Sequence, residues 1–205
     1  MQERRVCVAH KGFLGFEVEV QGRAAHGSRP DLGVDAIARM GHVLVRLEVL
    51  GAQLRSGPGH PLLGTGSVHA SLIEGGQEYS SYPARCLLTG ERRLIPGETR
   101  SQVEEELGRL LHGIDGAPRL TFGRKPLETD PEADIVRLAL KHAGADKIEG
   151  VPFWTDAALI AEAGTPTVVL GPSGDGAHAE VEWVDVASLE RCAEIYLAVA
   201  EEFCS

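Results

Sequence analysis

A histidine and two carboxylates close together in a chain can hold a metal ion, and His178, Glu180 and Glu182 have that spacing. A neutral imidazole ligates through one nitrogen while a carboxylate fixes its tautomer through the other. They follow Pro166-Thr167-Val168-Val169-Leu170, a short β-branched run bounded by Pro and Gly that reads as a buried strand of a parallel sheet, 165–170. Gly171, Pro172, Ser173, Gly174, Asp175 and Gly176 then turn the chain. His178 is thereby placed at a strand's carboxyl end, where open α/β sheets bind ligands. The local pattern alone favours a surface histidine in a polar loop, because one histidine does not make a metal site.

Other residues with chemical potential are scattered. Arg92 and Arg93 lie inside a strand pattern and point to opposite faces, so one faces a binding surface while the other is solvated. Arg93 reads on its own as a solvated strand residue or as an ion-pair partner to Glu91, which lies two positions away on the same face. His26 stands in the polar loop 23–30, where bracing the loop is its simplest role. Asp156 follows Trp154 and Thr155 and opens a helical pattern as its N-cap.

The elements that must position these residues fall into two groups. In 12–20, Phe16, Val18 and Val20 alternate with Glu17 and Glu19, a half-buried strand. Asp31 is a plausible N-cap for a helix over 32–54. Strands follow at 66–73 and 86–95, a helix at 100–111 capped by Thr99 or Ser101, and a short strand at 120–124. The order β, α, β, β, α, β is the split ferredoxin-like arrangement, an antiparallel sheet with two helices on one face. It makes residues 12–126 one unit. From 127 to 205 the pattern alternates: helix 131–143, strand 147–151, helix 156–163, strand 165–170, helix 186–203. Such alternation implies a parallel or mixed sheet. Two or three strands make a poor independent domain, so this α/β part reads as incomplete, with apolar surface exposed at Phe153, Val168, Val169 and Leu170.

Composition narrows the partners. With 30 acidic against 20 basic residues in 205, the formal charge of -10 disfavours nucleic acid and anionic membranes. The four cysteines are far apart, without C-x-x-C spacing, which indicates a reducing, cytoplasmic setting. Residues 1–11 contain no apolar core of a leader peptide, and no run is long enough to span a membrane.

Several ordered motifs together carry a resemblance. Gly22-x-x-Ala25-His26-Gly27-Ser28-x-Pro30-x-x-Gly33-x-x-Ala36-Ile37 is followed by Ile73-Glu74-Gly75-Gly76, Tyr82-Pro83-Ala84-Arg85-Cys86 and Glu91-Arg92-Arg93-x-x-Pro96-Gly97-Glu98. Thr155-Asp156-Ala157, Gly171-Pro172 and Ala177-His178-x-x-x-Glu182 complete the series. Over residues 12–203 the chain resembles the M20 metallopeptidases, the family of acetylornithine deacetylases, succinyl-diaminopimelate desuccinylases, aminoacylases and glutamate-releasing carboxypeptidases. It departs from the pattern at Ser80, where many members carry asparagine.

The resemblance implies a ferredoxin-like lid or dimerisation domain at 12–126 and the C-terminal section of an α/β zinc-hydrolase catalytic domain at 127–205. His178 matches the last zinc ligand. His26 matches the lid histidine that reaches across a homodimer to stabilise the substrate oxyanion. Arg93 matches the arginine that receives the substrate carboxylate, and Thr155 and Asp156 match a loop near the substrate. The implied reaction is hydrolysis of the amide bond of an N-acyl amino acid or peptide by water activated on zinc, or on cobalt or manganese. The histidine, bridging aspartate and glutamates that complete the family's metal site precede the lid, and no H-x-D or Glu-Glu pair lies before the first strand. A site of Asp156, His178 and Glu182 alone would lack the usual partners. The expectation is a chain not competent alone, or alternatively a noncatalytic dimerisation or binding module built on the same lid.

Overall fold

The computed structural model describes residues 5–205; the first four residues, part of the stretch read above for a leader, lie outside the described residues. The chain divides into two compact units, one formed by Gly12–His60 and Gly64–Lys125, the other by the N-terminal residues through Lys11, Pro61–Leu63 and Pro126–Ser205. The first element, β1 (Arg5–His10), belongs to the second of these. It precedes the first strand expected from the sequence, at Gly12; four of its six residues, Val6 to Ala9, are apolar and buried.

In the unit of Gly12–His60 and Gly64–Lys125, β2 (Gly12–Gln21) alternates strictly between buried and half-buried residues, as its sequence requires. Helix α1 spans Ala36–Ser56, not 32–54, and its N-cap is Asp35, whose carboxylate accepts from the Ala38 amide at 2.9 Å. The four residues before it are held otherwise: Val34 pairs with Arg23 through backbone bonds of 2.8 and 2.9 Å. Asp31 pairs with Arg29 at 2.8 Å instead of capping. Strands β3 (Ser67–Gly75) and β4 (Arg85–Leu94), helix α2 (Arg100–Leu110) and β5 (Gly116–Arg124) complete the unit. Thr99 caps α2 in a reciprocal box with Gln102. The sheet order is β3-β4-β2-β5 with every neighbour antiparallel, the ferredoxin-like arrangement expected.

One sheet face packs on both helices, with Phe16 and Leu88 meeting Met40 of α1 and Leu107 of α2 in a single core. The other carries cross-strand ion pairs, Glu17 with Arg119 and Glu19 with Arg85, each at 2.6 Å. Arg92 breaks the pattern. It falls on the helix side of β4, its side chain is 2% exposed, and the expectation of a solvated arginine is corrected. Its guanidinium donates to Glu98 at 2.6 Å and to Glu106 at 3.0 Å. Burial disfavours its charge, but the two carboxylates outweigh that and raise its pKa.

The other unit is built on a three-stranded mixed sheet, order β6-β1-β7, where β6 is Leu127–Glu128 and β7 is Lys147–Val151. β1 runs parallel to β7 and antiparallel to β6. Helices α3 (Asp134–Ala143), α4 (Ala157–Glu162) and α5 (Val186–Phe203) surround it. The strand expected over 165–170 reduces to one antiparallel bridge, Val169 to Cys7, with bonds of 3.0 and 2.9 Å. β6 occupies the same edge of β1 at Ala9 and His10, so the pairing cannot extend in that direction. A two-stranded hairpin, β8 (Gly174–Asp175) and β9 (Trp183–Val184), replaces the expected open loop. Among the described residues no helix is long and apolar enough to cross a membrane.

Candidate active site

The loop bearing His26 is fastened by backbone bonds to the segment before β4. Gly22 N–H donates to Ala84 at 2.7 Å, Tyr82 to Ala25 at 2.8 Å and Gly27 to Ser80 at 2.6 Å. These contacts explain the glycines of the motif. A Cβ on Gly22 would lie 2.3 Å from the Val34 carbonyl, and one on Gly33 2.4 Å from the Tyr82 ring. The neighbouring Ser81 hydroxyl, 2.6 Å from Glu78, holds that carboxyl below its ordinary pKa. His26 itself is exposed. Its Nδ1 accepts from the Ser28 amide at 3.2 Å and lies 2.8 Å from the Ser28 hydroxyl. An Nδ1 that accepts places the proton on Nε2, which makes no bond among the described residues. The side chain is a hydrogen-bond donor held outward on a braced loop.

Arg93, on the face of β4 opposite Arg92, is one-third exposed. Its Nε donates to Glu91 at 2.6 Å and its guanidinium lies 5.6 Å from the Phe13 ring centroid. The ion pair with Glu91 read from the sequence is present, and it uses only Nε. Both Nη groups make no hydrogen bond among the described residues and remain available for a planar anion.

In the other unit, Thr155 and Asp156 form the turn between β7 and α4. Asp156 holds the N-cap position, yet its carboxylate makes no capping bond, which corrects the simpler reading of this residue. Thr155 takes that role: its hydroxyl accepts from Ala157 at 3.4 Å and its carbonyl from Ala158 at 3.3 Å. The exposed Asp156 carboxylate is therefore uncommitted. Sequence reasoning missed the residue behind this turn, His10, which is fully buried and receives the Thr155 amide on Nε2 at 3.3 Å. A histidine closing an apolar run, Val6-Cys7-Val8-Ala9, was the available signal.

His178 lies in the turn of the β8–β9 hairpin, exposed, with φ of +64°. It is the one non-glycine with positive φ among the described residues. Such a backbone costs about 1 kcal/mol or more and is retained where neighbouring structure imposes it. Glu180 and Glu182 are also exposed. Among the described residues no group of three or more His, Cys, Asp and Glu side chains converges as a metal site, so Asp156, His178 and Glu182 do not form one. A catalytic zinc takes about three protein ligands, and the described residues do not fit one by themselves.

A cleft of about 740 Å³ opens in the same unit between α3, α4 and α5, lined chiefly by apolar side chains including Val168, Val169, Leu170, Ile195 and Phe203. Val168 to Leu170 are half-buried, while Phe153 is 49% exposed.

The model of the peptidase dimerisation domain matches residues 8–114, and that of peptidase family M20/M25/M40 matches residues 118–202. The acetylornithine deacetylase of Myxococcus xanthus is 33% identical over 210 residues, covering 96% of this chain and 54% of that protein. That of Erwinia tasmaniensis is 29% identical over 211 residues, covering 96% and 53%. Among solved structures, the aminopeptidase PepT of Bacillus cereus aligns with a TM-score of 0.78 at 19% identity, covering 98% of this chain and 54% of that one. A tripeptidase of Staphylococcus aureus aligns at 0.72 and 16% identity, covering 95% and 52%. Identities this low show a shared fold. The chain spans about half the length of the curated relatives it matches. With the dimerisation-domain match over residues 8–114 and the peptidase match over 118–202, it belongs to the M20 peptidase family of hydrolases.

Proposed function

We propose that these residues are the lid and the C-terminal catalytic section of an amidohydrolase that cleaves the amide bond of an N-acyl amino acid or peptide. Residues 12–126 serve as the lid and 127–205 as the catalytic section. The observation that carries this is His26: its Nδ1 is occupied by Ser28, its Nε2–H points outward, and its loop is pinned to Ser80 and Tyr82. That is a preorganised donor for an oxyanion, and removing such a donor lowers kcat by about 10²–10³. Arg93, oriented by Glu91 through Nε, presents its Nη groups to the substrate carboxylate. Thr155 and Asp156 border the substrate. The names of the deacetylase relatives favour an acylated amino acid over a long peptide.

His178 is the ligand this section would contribute to a metal centre, zinc or a similar divalent ion. The remaining ligands would come from parts of the whole enzyme outside these residues. The lid would pair with a second copy through β3, an edge strand exposed along nearly all its length, and through the exposed Ile37, Val45 and Val49 on α1. His26 would then act across the dimer. The wide spacing of the four cysteines along the sequence fits a reducing, cytoplasmic setting. A noncatalytic module built on the lid is disfavoured, because the peptidase match extends over residues 118–202.

The test is a chimera in which this chain replaces the matching half of the Myxococcus xanthus enzyme, assayed on a panel of N-acyl amino acids. Hydrolysis that falls about 10²–10³-fold with His26→Ala, and loses affinity for the carboxylate with Arg93→Ala, supports the reading. A folded dimeric chimera that hydrolyses no member of the panel refutes it.

A further inference from the structure

His10 is fully buried and has no part in the chemistry above. Both of its ring nitrogens are nevertheless committed. Nδ1 lies 3.1 Å from the Lys11 carbonyl, which can only accept, so Nδ1 carries the proton. Nε2 then presents a lone pair, and the Thr155 amide donates to it at 3.3 Å. The ring's position is fixed independently on two sides. Its residue pairs with Val151 at the end of β7, and its ring meets the Trp154 ring edge-on, with centroids 6.2 Å apart and planes at 73°.

We infer that His10, as the neutral Nδ1–H tautomer, is the positioning residue of the Thr155–Asp156 turn. The chain must leave β7 at Val151 and begin α4 at Ala157 within five intervening residues, 152–156, which belong to neither strand nor helix. His10 supplies the missing acceptor from β1. With its amide held there, Thr155 can spend its hydroxyl and carbonyl on the first turn of α4. Asp156 is thereby released from capping and projects its carboxylate outward. Burial also pushes the pKa of His10 down, which keeps Nε2 unprotonated, as the bond demands. A proton on Nε2 would set one N–H against another. The functional value of the turn rests on the substrate-contact reading proposed above, but the clamp does not.

The experiment uses the 205-residue chain labelled with 15N. Imidazole nitrogen shifts report the tautomer directly, and amide exchange at Thr155 reports the clamp. His10→Gln places a carbonyl oxygen near the Nε2 position, whereas His10→Asn reaches only the Nδ1 position. The expected result is an Nδ1–H ring in the wild type, Thr155 exchange preserved in His10→Gln, and exchange about tenfold faster in His10→Asn, as for loss of one ordinary hydrogen bond. An Nε2–H tautomer, or equal Thr155 exchange in both variants, overturns the inference. Should His10→Asn fail to fold, the tautomer and the His10→Gln exchange still decide it. In the chimera, rescue of kcat by His10→Gln but not by His10→Asn extends the clamp to catalysis. An inactive wild-type chimera with an intact clamp indicts the substrate reading alone.

Discussion

The lid finds nearly all its partners within one stretch of chain, whereas the unit of residues 126–205 takes its central strand, β1, from the far end of the sequence. In the lid, four antiparallel strands and two helices close over one core. The other unit has a β6 strand of two residues, an α4 of six residues, separate small apolar clusters and an open apolar cleft. Stability per residue follows from how much apolar surface each element buries. A fold closed by neighbours in sequence is secured locally, while one closed by remote segments depends on each of them.

Both tryptophans, Trp154 and Trp183, lie in the 126–205 unit, so their fluorescence follows that unit alone while circular dichroism follows both. This separation lets each unit be perturbed independently. The largest effect is expected from Arg92→Ala, which leaves Glu98 and Glu106 without their buried counter-charge. It should lower lid stability by about 3–5 kcal/mol in urea titrations followed by circular dichroism, with the tryptophan transition unmoved. A shift of both transitions would erase the distinction between the units. Next is the edge proposed for pairing: if two copies associate through β3, changing Leu72, which is 63% exposed there, to Asp should raise the dissociation constant about ten- to thirtyfold, read by sedimentation. No change would move the self-association off this edge.

A smaller effect distinguishes the units by pH. Burial depresses the pKa of His10, so the unfolded chain binds a proton near pH 6.5 that the folded chain refuses. The stability due to neutral His10 is complete above that value and is lost as pH falls from it toward the folded pKa. The tryptophan midpoint should therefore drop below about pH 6.5, and His10→Gln should flatten the drop. An unchanged slope would remove His10 as its source. Smallest is Glu104→Ala, which breaks an exposed i,i+4 pair with Arg100 and should cost no more than about 0.5 kcal/mol. A larger loss would show that the lid surface contributes more than its exposure implies.

Local signals were legible where their partners are local. The alternation of β2 and the terminal helix α5 stand where the sequence put them, and of the two caps it offers α2, Thr99 or Ser101, the chain uses Thr99. The α1 cap was misplaced by four residues, because the Arg23–Val34 pairing and the packing of Gly33 on Tyr82 keep the preceding segment extended. Val169 reads as a strand residue by its neighbours, yet it pairs with β1 only at Cys7, since β6 takes the same edge at Ala9 and His10.

The candidate site divides in the same way. The family motifs and the ferredoxin-like order of the lid are written in the sequence, which also offers Glu91 as one of two readings for Arg93, since each depends on spacing along the chain. Folding alone buries Arg92 between two carboxylates, leaves the Asp156 carboxylate without a capping bond, and brings His10 to the Thr155 amide across 145 positions. Burial and hydrogen bonding between remote residues are properties of the folded chain, and no periodicity in the sequence encodes them.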